Sequence, residues 1–457
     1  MPMNKVVHAA QRAAFSAAID VAINAVRGKG TEKLSENAVK LVNLAEPLLK
    51  DRYPASAFDA ARKFVSDPNG KWMQYAYRAI NEIDPHVLKM NALNLVYEGM
   101  FSGYNYVCEL REKYDCNMPW ILLFDPTSAC NLHCKGCWAA EYGNRLNLSF
   151  EDMDRIVTQG KELGIYLYFF TGGEPLVRKD DIIRLCEKHD DCGFHAFTNG
   201  TLIDEKFCQE MKRVGNFSVA ISLEGFDEVN DLRRGKGVFD KVMHAMDLMK
   251  QYGLIFGTSI CYTSKNYKVV TSDEFLDMII EKGARFSWYF HYMPVGNDAS
   301  TELLLDPDQR EYMYHRIREI RAMKGGKPIF AFDFQNDGEY VGGCIAGGRN
   351  YCHINPNGDV EPCVFIHYSG ANIKEVDLLT ALKQPLFMAY RANQPFNCNH
   401  LKPCPMLENP EILQRMVHET GAHSTDLQSP ESVEHLCGKC AEYAKNWDER
   451  AQKLWNK

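Results

Sequence analysis

Three cysteines on one short stretch are the first feature of this sequence that could carry out chemistry. Cys130, Cys134 and Cys137 are separated by three and by two residues. A structural zinc site closes four positions, usually with paired Cys or His ligands, whereas a ferredoxin loop spaces its cysteines by two residues and ends in Cys-Pro. Three thiolates on a four-iron cluster would leave one iron open to another ligand. The same spacing also fits three ordinary loop thiols, so the surrounding elements must decide.

The composition is that of an ordinary globular protein of two or three domains. The 457 residues carry a net charge of −8 with both signs mixed along the chain, which disfavours nucleic acid as a partner. No apolar stretch reaches the roughly 18 residues of a membrane span, and the first residues do not resemble a signal peptide, so we expect a cytoplasmic location. Sixteen Cys in a reducing compartment favour metal or redox chemistry over disulfides. Cys186 and Cys261 lie inside predicted core elements and are expected to be packing residues.

From Trp120 onward, short apolar runs alternate with amphipathic helical patterns, which predicts βα units and a parallel sheet. The predicted strands span residues 120–124, 165–170, 194–198, 217–222, 255–262 and 285–293. The predicted helices between them span residues 149–163, 179–189, 205–214, 239–252 and 272–282. Six such units form a partial barrel, whereas the closed form needs eight, and no further strand of this type is predicted downstream.

The chain has a different pattern on each side of the predicted barrel, which spans residues 116–304. Residues 1–115 show helical periodicity throughout. We interpret them as a helical domain packed on the enzyme, with a partner-binding module as the other interpretation. Residues 305–457 begin with a charged helix and continue as a Cys-, Gly- and Pro-rich region. Such a region buries little apolar surface by itself, so metal clusters are expected to stabilise it.

Polar or Gly-rich loops follow the first four predicted strands. The Cys loop follows the first strand, and the next three strands are followed by Thr171-Gly172-Gly173-Glu174-Pro175, Thr198-Asn199-Gly200-Thr201 and Ser222-Leu223-Glu224-Gly225. In parallel β/α sheets the functional site lies in the loops at the carboxyl ends of the strands. Two adjacent glycines let a backbone approach a ligand without a Cβ in the way. The four loops together therefore predict one site.

In order and spacing, these motifs resemble the core of the radical S-adenosylmethionine (SAM) superfamily. The Cys triad, the loops at 172–175 and 222–225, and Arg234-Gly235-x-Gly237-x-Phe239 carry the resemblance, which extends over about residues 118–300. Together with the patterns above, it implies an α/β protein: a partial (β/α)6 TIM-like barrel with an N-terminal all-helical domain and an irregular Cys-rich C-terminal iron–sulfur extension.

The resemblance also implies the cofactors. Cys130, Cys134 and Cys137 would hold a [4Fe–4S] cluster whose open iron chelates SAM, and electron transfer would then give a 5′-deoxyadenosyl radical. The implied SAM-binding residues are Gly172, Gly173, Glu174, Pro175, Thr198, Asn199, Ser222 and, for the SAM carboxylate, Arg234. A low-potential protein of the flavodoxin or ferredoxin type is the expected electron donor. The family often has an aromatic residue just before the third Cys, whereas here that residue is Gly136 and the aromatic residue is Trp138.

Seven further cysteines lie in the C-terminal region: Cys344, Cys352, Cys363, Cys398, Cys404, Cys437 and Cys440. The spacing of Cys344, Gly358 and Cys363 resembles the start of the SPASM extension, which binds auxiliary iron–sulfur clusters in radical SAM enzymes. Two full clusters would need eight thiolates, so seven favour one auxiliary [4Fe–4S] cluster, with a second, incompletely Cys-ligated cluster as the alternative. A zinc site that uses Cys437, Cys440 and another pair stays open.

The sequence therefore predicts a radical SAM oxidoreductase and leaves its substrate open. A peptide or protein side chain is the first hypothesis, because SPASM-type relatives often modify peptides. A small molecule or lipid is the second, because the helical N-terminal region lacks the mixed α/β module that commonly binds leader peptides. A non-catalytic iron–sulfur or zinc protein is a further alternative, although such a protein would not need the polar and Gly-rich loops after the predicted strands. Glu224, His291 and Tyr292, at or near strand ends, are the candidates for substrate contacts.

Overall fold

The computed structural model describes residues 5–49, 54–139, 142–143 and 145–456. The N-terminal region is helical, as predicted. Its helices are Lys5–Val26 (α1), Gly30–Leu49 (α2), Ala55–Val65 (α3), Lys71–Glu82 (α4), Pro85–Asn91 (α5), a π-helical segment Ala92–Gly103, and Tyr104–Tyr114 (α6). Asp84 begins α5 by accepting the backbone N–H groups of His86 and Val87. Within the described ranges, no helix is long and apolar enough to cross a membrane.

One nine-stranded sheet forms the centre of the molecule. Its strands are Ile121–Phe124 (β1), Leu167–Phe170 (β2), Gly193–Thr198 (β3), Phe217–Ser222 (β4), Phe256–Tyr262 (β5), Phe286–His291 (β6), Phe330–Asp333 (β7), Tyr351–Ile354 (β8) and Val360–Glu361 (β9). In space they follow the order β7-β6-β5-β4-β3-β2-β1-β8-β9. Neighbouring strands are parallel except β8 and β9, which are antiparallel. The six predicted strands are confirmed as β1 to β6.

Two parallel strands, β7 and β8, extend the sheet beyond these six, so the prediction of no further strand downstream is wrong. β8 pairs with β1, with Ile121 opposite Tyr351 and Phe124 opposite Ile354. Each added strand has only four residues and lies in a region without regular periodicity, which explains why its pattern gives no signal. The sheet therefore continues past residue 304, and the division of the chain into domains stays a prediction.

Helices cover the outer face of the sheet and bury the main core. They are Phe150–Glu162 (α7), Lys179–Lys188 (α8), Glu205–Val214 (α9), Asp227–Arg234 (α10), Val238–Gln251 (α11), Asp273–Glu281 (α12) and Pro307–Ile320 (α13). Ser149 begins α7 with a capping box that it forms with Asp152. Alternate strand residues such as Leu122, Phe170 and Val219 pack against these helices. This layer sets the strands in register and aligns their carboxyl ends.

Aromatic rings line the inner face of the sheet. The ring centroid of Phe197 on β3 lies 5.7 Å from that of Phe290 and 6.2 Å from that of Trp288, both on β6. The two strands between them carry small side chains such as Ser222 and Ser259, which lie opposite each other. The rings of the flanking strands therefore meet above β4 and β5 and fill much of the space inside the partial barrel.

The C-terminal region packs on this inner face. Its further elements are Gly338–Val341 (α14), Tyr368–Ser369 (β10), Leu378–Leu382 (α15), Pro385–Asn393 (α16), Pro410–Thr420 (α17), His423–Ser424 (β11) and Val433–Trp455 (α18). A second core joins buried residues of α17 and α18, such as Leu413 and Trp447, to Leu123 on β1. Phe197 and Phe290 contact the same core. The sheet thus lies between a layer of helices and the C-terminal region.

The N-terminal helices contact the amino ends of the strands. A Cβ on Gly99, in the π-helical segment, would lie 2.9 Å from the side chain of Leu167 at the start of β2. The hydroxyl of Tyr75 on α4 donates to the carbonyl of Arg285, just before β6, at 3.1 Å. This region therefore covers the end of the barrel opposite to the predicted site.

Candidate active site

The Cys triad lies in the loop after β1, at the carboxyl end of the sheet. Cys130, Cys134 and Cys137 are all partly exposed. The backbone N–H of Leu132 donates to the Sγ of Cys130 at 3.4 Å. Burial raises the pKa of the Cys130 thiol to about 11 and also raises that of Cys134. These thiols are therefore protonated at neutral pH, and metal binding would release their protons.

The number and type of the ligands in this loop fit an iron–sulfur cluster. Cys130 lies near enough to Cys134 and Cys137 that their ionisation would raise its pKa, so the three thiols belong to one small site. Within the described ranges, no three His, Cys, Asp or Glu side chains are grouped so that they could hold a single metal ion. A four-iron cluster needs a wider arrangement, because each thiolate binds a different iron.

Gly172 and Gly173, after β2, lie directly on the start of the Cys loop. A Cβ on Gly173 would lie 2.3 Å from the carbonyl oxygen of Ala129, and one on Gly172 would lie 2.7 Å from that of Thr127. Gly172 also has a φ of 107°, a conformation that favours glycine. The backbone N–H of Gly173 donates to the Thr127 carbonyl at 3.0 Å, and that of Glu174 donates to the Ala129 carbonyl at 2.8 Å. The two loops therefore form one unit.

Glu174 connects this unit to the loop after β3. Its buried carboxylate accepts the hydroxyl of Thr198 at 2.5 Å and the backbone N–H of Asn199 at 2.7 Å. It also accepts the backbone N–H of Leu176 at 3.0 Å, in a short 3₁₀ helix that begins with Pro175. The hydrogen bond between Glu174 and Thr198 thus fixes the loop after β2 against the loop after β3.

Asn199 connects the same loop back to the Cys loop. Its Nδ2 donates to the Oδ1 of Asn131 at 2.8 Å, and the Nδ2 of Asn131 donates to the hydroxyl of Thr201 at 2.8 Å. Because Asn131 follows Cys130, hydrogen bonds join three strand-end loops around the triad. Ser222, at the end of β4, is partly exposed on the same side of the sheet.

Glu224, in the loop after β4, pairs with two arginines of α10. Its Oε1 accepts the Nη1 of Arg233 at 2.7 Å and the Nη2 of Arg234 at 2.5 Å. The Glu224 side chain is 1% exposed. Arg234, the predicted partner of the SAM carboxylate, is therefore already paired with a carboxylate of the protein. Its direct contact with SAM stays a prediction.

Arg233 is a site residue that sequence reasoning missed. Its Nη2 donates to the carbonyl of Gly136, inside the Cys loop, at 3.4 Å. Its own carbonyl accepts the backbone N–H of Lys135 at 3.0 Å. Burial lowers the pKa of Arg233, but the nearby thiols and Glu224 raise it above its usual value. The guanidinium therefore stays charged beside the triad. Its position one residue before Arg234 is the only signal in the sequence.

His291 and Tyr292, at the end of β6, are both 1% exposed. The two ring nitrogens of His291 bond to the carbonyl of Tyr292 at 2.7 Å and to the hydroxyl of Tyr443 at 3.2 Å. Burial lowers the pKa of His291 to about 3, so the ring is neutral. The ring of Tyr292 lies against Gly136. Among the three candidates for substrate contacts, Glu224 and Tyr292 thus lie beside the triad, whereas His291 contacts the C-terminal region.

Five of the seven C-terminal cysteines share the second core. We call them the C-terminal thiol group: Cys344, Cys363, Cys404, Cys437 and Cys440. The hydroxyl of Tyr351 donates to one member, Cys363, at 2.8 Å. Burial raises the pKa of Tyr390, and four thiols of the group raise it further. Cys352 packs instead in the main core, and Cys398 is exposed. The group has enough thiols for one four-iron cluster.

A buried ion pair holds the loop that carries Cys404. The Nη1 of Arg310 lies 2.6 Å from the Oε1 of Glu408, and both side chains are fully buried. Glu408 also accepts the backbone N–H of Cys404 at 2.7 Å. Arg310 donates to the hydroxyl of Tyr443 at 2.8 Å, and Tyr443 in turn bonds to His291. Polar contacts therefore connect the C-terminal thiol group to the end of β6.

Comparison with known proteins identifies two domains in this chain. Residues 124–279 match the radical SAM superfamily, and residues 344–405 match SPASM, an iron–sulfur cluster-binding domain. Such domains bind a [4Fe–4S] cluster with SAM and auxiliary iron–sulfur clusters, respectively, which confirms the cofactors predicted from the sequence. The number of auxiliary clusters and the identity of their ligands stay predictions.

Similar proteins have different substrates. Fe-coproporphyrin III synthase of Methanosarcina barkeri is 27% identical over 233 residues, which are 48% of this chain and 57% of that protein. Mycofactocin maturase MftC of Mycolicibacterium smegmatis is 29% identical over 262 residues, 54% of this chain and 64% of that protein. This chain therefore spans less than two thirds of either relative. SuiB of Streptococcus suis, solved also with S-adenosylmethionine and with its precursor peptide SuiA, has a similar fold, with a TM-score of 0.56, 19% identity, and coverage of 73% of this chain and 81% of SuiB.

Proposed function

Because this chain is a radical SAM enzyme with a SPASM domain, we propose that it cleaves SAM reductively at a cluster bound by Cys130, Cys134 and Cys137 and then modifies a peptide or protein side chain. The observation that carries this proposal is the joining of three strand-end loops around the triad. Glu174 and Asn199 make the hydrogen bonds that join them. This arrangement would hold cluster and SAM in one fixed geometry, which is how proximity lowers a barrier.

The protein's part in the reaction is to orient the cofactors and to protect the site. When bound, the reduced cluster supplies the electron that cleaves a C–S bond of SAM and yields a 5′-deoxyadenosyl radical. Arg233 keeps a positive charge beside the triad and offsets part of the negative charge of the thiolates. The apolar rings of Phe197 and Phe290 would exclude water from the inner face of the sheet once a substrate covers them.

The inner face of the sheet favours a substrate that presents an aromatic or apolar group. Phe197, Trp288 and Phe290 remain partly exposed although they lie between the sheet and the C-terminal region. Rings of this kind pair with other rings at centroid distances of about 4.5–7 Å. A side chain of a peptide could therefore insert among them, and the complex of SuiB with a precursor peptide supports a substrate of this class.

A tetrapyrrole is the second candidate substrate. The similarity to Fe-coproporphyrin III synthase supports it, and a flat macrocycle would stack on the same rings. A peptide substrate and a tetrapyrrole substrate can be distinguished by which added compound accelerates SAM cleavage.

The test measures the rate of 5′-deoxyadenosine formation by the reconstituted enzyme with SAM and dithionite. One arm adds a library of peptides that contain Phe, Tyr or Trp, and the other adds a set of iron tetrapyrroles that includes more reduced macrocycles than a porphyrin. Acceleration by peptides supports the proposal, acceleration by a tetrapyrrole alone overturns it in favour of the second candidate, and no acceleration by either contradicts both. Trp288→Leu should weaken the acceleration about tenfold through loss of ring contacts, whereas Trp455→Leu, at the exposed end of α18, should not.

A further inference from the structure

The thiol of Cys261 lies beside the Cys triad, and not in the core as the sequence suggests. Ile260 and Tyr262, on either side of it in β5, pack in the main core under the helices. Cys261 therefore faces the inside of the sheet, because successive side chains of a strand point to opposite faces. It is the last residue but one of β5, at the carboxyl end of the sheet.

The charged groups of the site surround this thiol. Burial raises the pKa of Cys261 to about 11. Glu224 and Cys137 raise this pKa further, whereas the positive charge of Arg233 lowers it. Cys261 is also the group that raises the pKa of Arg233 most, and it raises the pKa of Tyr292. The thiol therefore lies among the residues that contact the Cys loop.

Two polar atoms of residues near Cys261 form no hydrogen bond within the part of the chain that the structure describes. They are the Oε2 of Glu224 and the hydroxyl of Tyr292. Both side chains are 1% exposed. The backbone of Ser300 lies near the Tyr292 hydroxyl, but not in hydrogen-bonding geometry. Buried polar groups are nearly always satisfied, so these two atoms indicate a polar ligand in the pocket that Cys261 lines.

The absence of a side chain at Gly136 leaves room for the ring of Tyr292 beside the Cys loop. A Cβ on Gly136 would lie 2.8 Å from the ring of Tyr292 and 3.2 Å from its hydroxyl oxygen. Gly136 also has a φ of 65°, which favours glycine. An aromatic ring thus lies against the Cys loop although residue 136 itself has no side chain. The pocket is therefore bounded by the Cys loop, Tyr292, Glu224 and Cys261.

We propose, on the basis of the proposed function, that Cys261 is the hydrogen-atom donor of this pocket. An S–H bond is weaker than an aliphatic C–H bond, so a carbon-centred radical held here would take its hydrogen atom. The S–H bond breaks, a C–H bond forms, and the unpaired electron stays on the sulfur. One electron from a reduced iron–sulfur centre or from the ferredoxin-type donor, with one proton from water, restores the thiol.

This role places the enzyme in a definite reaction class. The substrate loses a hydrogen atom to the 5′-deoxyadenosyl radical, which becomes 5′-deoxyadenosine, and regains one from Cys261, so its oxidation state does not change. Inversion of a carbon centre is a reaction of this kind. The hydrogen returned to carbon would come from solvent, because thiols exchange their hydrogen with water.

The test uses turnover of SAM without substrate, which needs no knowledge of the substrate. The reconstituted enzyme is incubated with SAM and dithionite in D₂O without added thiols, and the mass of 5′-deoxyadenosine is measured. We expect deuterium on carbon in the product of the wild type and loss of that deuterium in Cys261→Ala and Cys261→Ser. Cys108→Ala, which removes a partly exposed thiol on α6, is the matched control and should keep the deuterium.

The outcomes separate this inference from the proposed function. Undeuterated 5′-deoxyadenosine from the wild type, or deuterium that persists in both Cys261 variants, would overturn the inference alone. A lower iron content in Cys261→Ala would overturn it in favour of a cluster ligand. Absence of 5′-deoxyadenosine from a wild type with full iron content would overturn the proposed function, and this inference with it.

Discussion

At the scale of residues, one buried carboxylate holds two loops of the site together. Glu174 accepts three hydrogen bonds, from the hydroxyl of Thr198 and from the backbone N–H groups of Asn199 and Leu176. Burial raises the pKa of Glu174, while these hydrogen bonds oppose that rise because they favour the charged form. A neutral side chain of the same size cannot accept at all three positions.

Glu174→Gln should therefore weaken SAM binding. The amide would turn an N–H group toward the backbone N–H of Leu176 or toward that of Asn199, and a buried donor without an acceptor costs about 1–3 kcal/mol. We expect the Kd of SAM to rise about tenfold, the factor that corresponds to 1.4 kcal/mol, as measured by calorimetry on the reconstituted protein. Glu205→Gln, at the exposed start of α9, is the control. An unchanged Kd in Glu174→Gln would contradict the role of this carboxylate.

The residues that could be predicted were those whose chemistry dictates both type and spacing. The Cys triad and Gly172-Gly173 belong to this group, since no other residue types could occupy those positions. Arg233 could not be recognised, because the pattern of α10 does not say which of two adjacent arginines reaches the Cys loop. Cys261 could not be recognised either, since alternation along β5 does not indicate which face holds the site.

At the scale of elements, β8 attaches the C-terminal region to the barrel through a buried histidine. The Nε2 of His353 lies 2.9 Å from the Oδ1 of Asp125, and its Nδ1 lies 2.7 Å from the Oε2 of Glu361. All three side chains are fully buried. Asp125 directly follows β1 and leads into the Cys loop. The histidine therefore joins the first strand of the barrel to β9.

His353 should make stability depend on pH. Burial lowers its pKa, but the carboxylates of Asp125 and Glu361 outweigh that effect and raise it from 6.5 to about 10. A raised pKa in the folded state means that the stabilisation is complete below pH 6.5 and is lost as the pH rises toward 10. We expect the urea midpoint of the wild type to fall over this range.

Two variants isolate this effect. His353→Gln leaves Asp125 buried without a cation, which should cost about 3–5 kcal/mol, and should remove most of the decline between pH 6.5 and 10. His423→Gln, on the exposed β11, should keep the wild-type decline. An equal decline in His353→Gln and the wild type would show that another group is responsible.

The first six strands could be predicted because each is an apolar run bounded by turn residues and followed by an amphipathic helix. β7 and β8 could not, because each contains a polar residue, Asp333 or His353, and neither is followed by an amphipathic helical pattern. β8 also joins the sheet next to β1, so its partner is distant in sequence. Long-range pairing of this kind leaves no local pattern.

At the scale of the whole molecule, the N-terminal and C-terminal regions contact different parts of the barrel. The N-terminal helices cover the amino ends of the strands, while the C-terminal region packs on the inner face beside the site. Periodicity predicts the helices of the first region but does not say which end of the barrel they cover. The packing of the second depends on contacts such as that between Arg310 and Glu408, which are far apart in sequence.

The C-terminal thiol group should hold the auxiliary cluster, independently of the Cys triad. Cys404→Ala should lower the iron content by about four per chain, the content of one [4Fe–4S] cluster, and should still form 5′-deoxyadenosine from SAM. Cys440→Ala should behave likewise. Cys352→Ala and Cys398→Ala are the matched controls and should retain all iron, because Cys352 packs in the main core and Cys398 is exposed. Loss of iron in Cys398→Ala would mean that the ligand set is different.

The cleavage of SAM by the reconstituted protein tests the central claim most directly. Anaerobic enzyme with counted iron and sulfide is given SAM and dithionite, and 5′-deoxyadenosine is quantified for the wild type and for Cys134→Ala. We expect formation by the wild type and none by Cys134→Ala, because the triad then loses one of its three thiolates. A wild type that carries its full complement of iron and sulfide but forms no 5′-deoxyadenosine would contradict the claim.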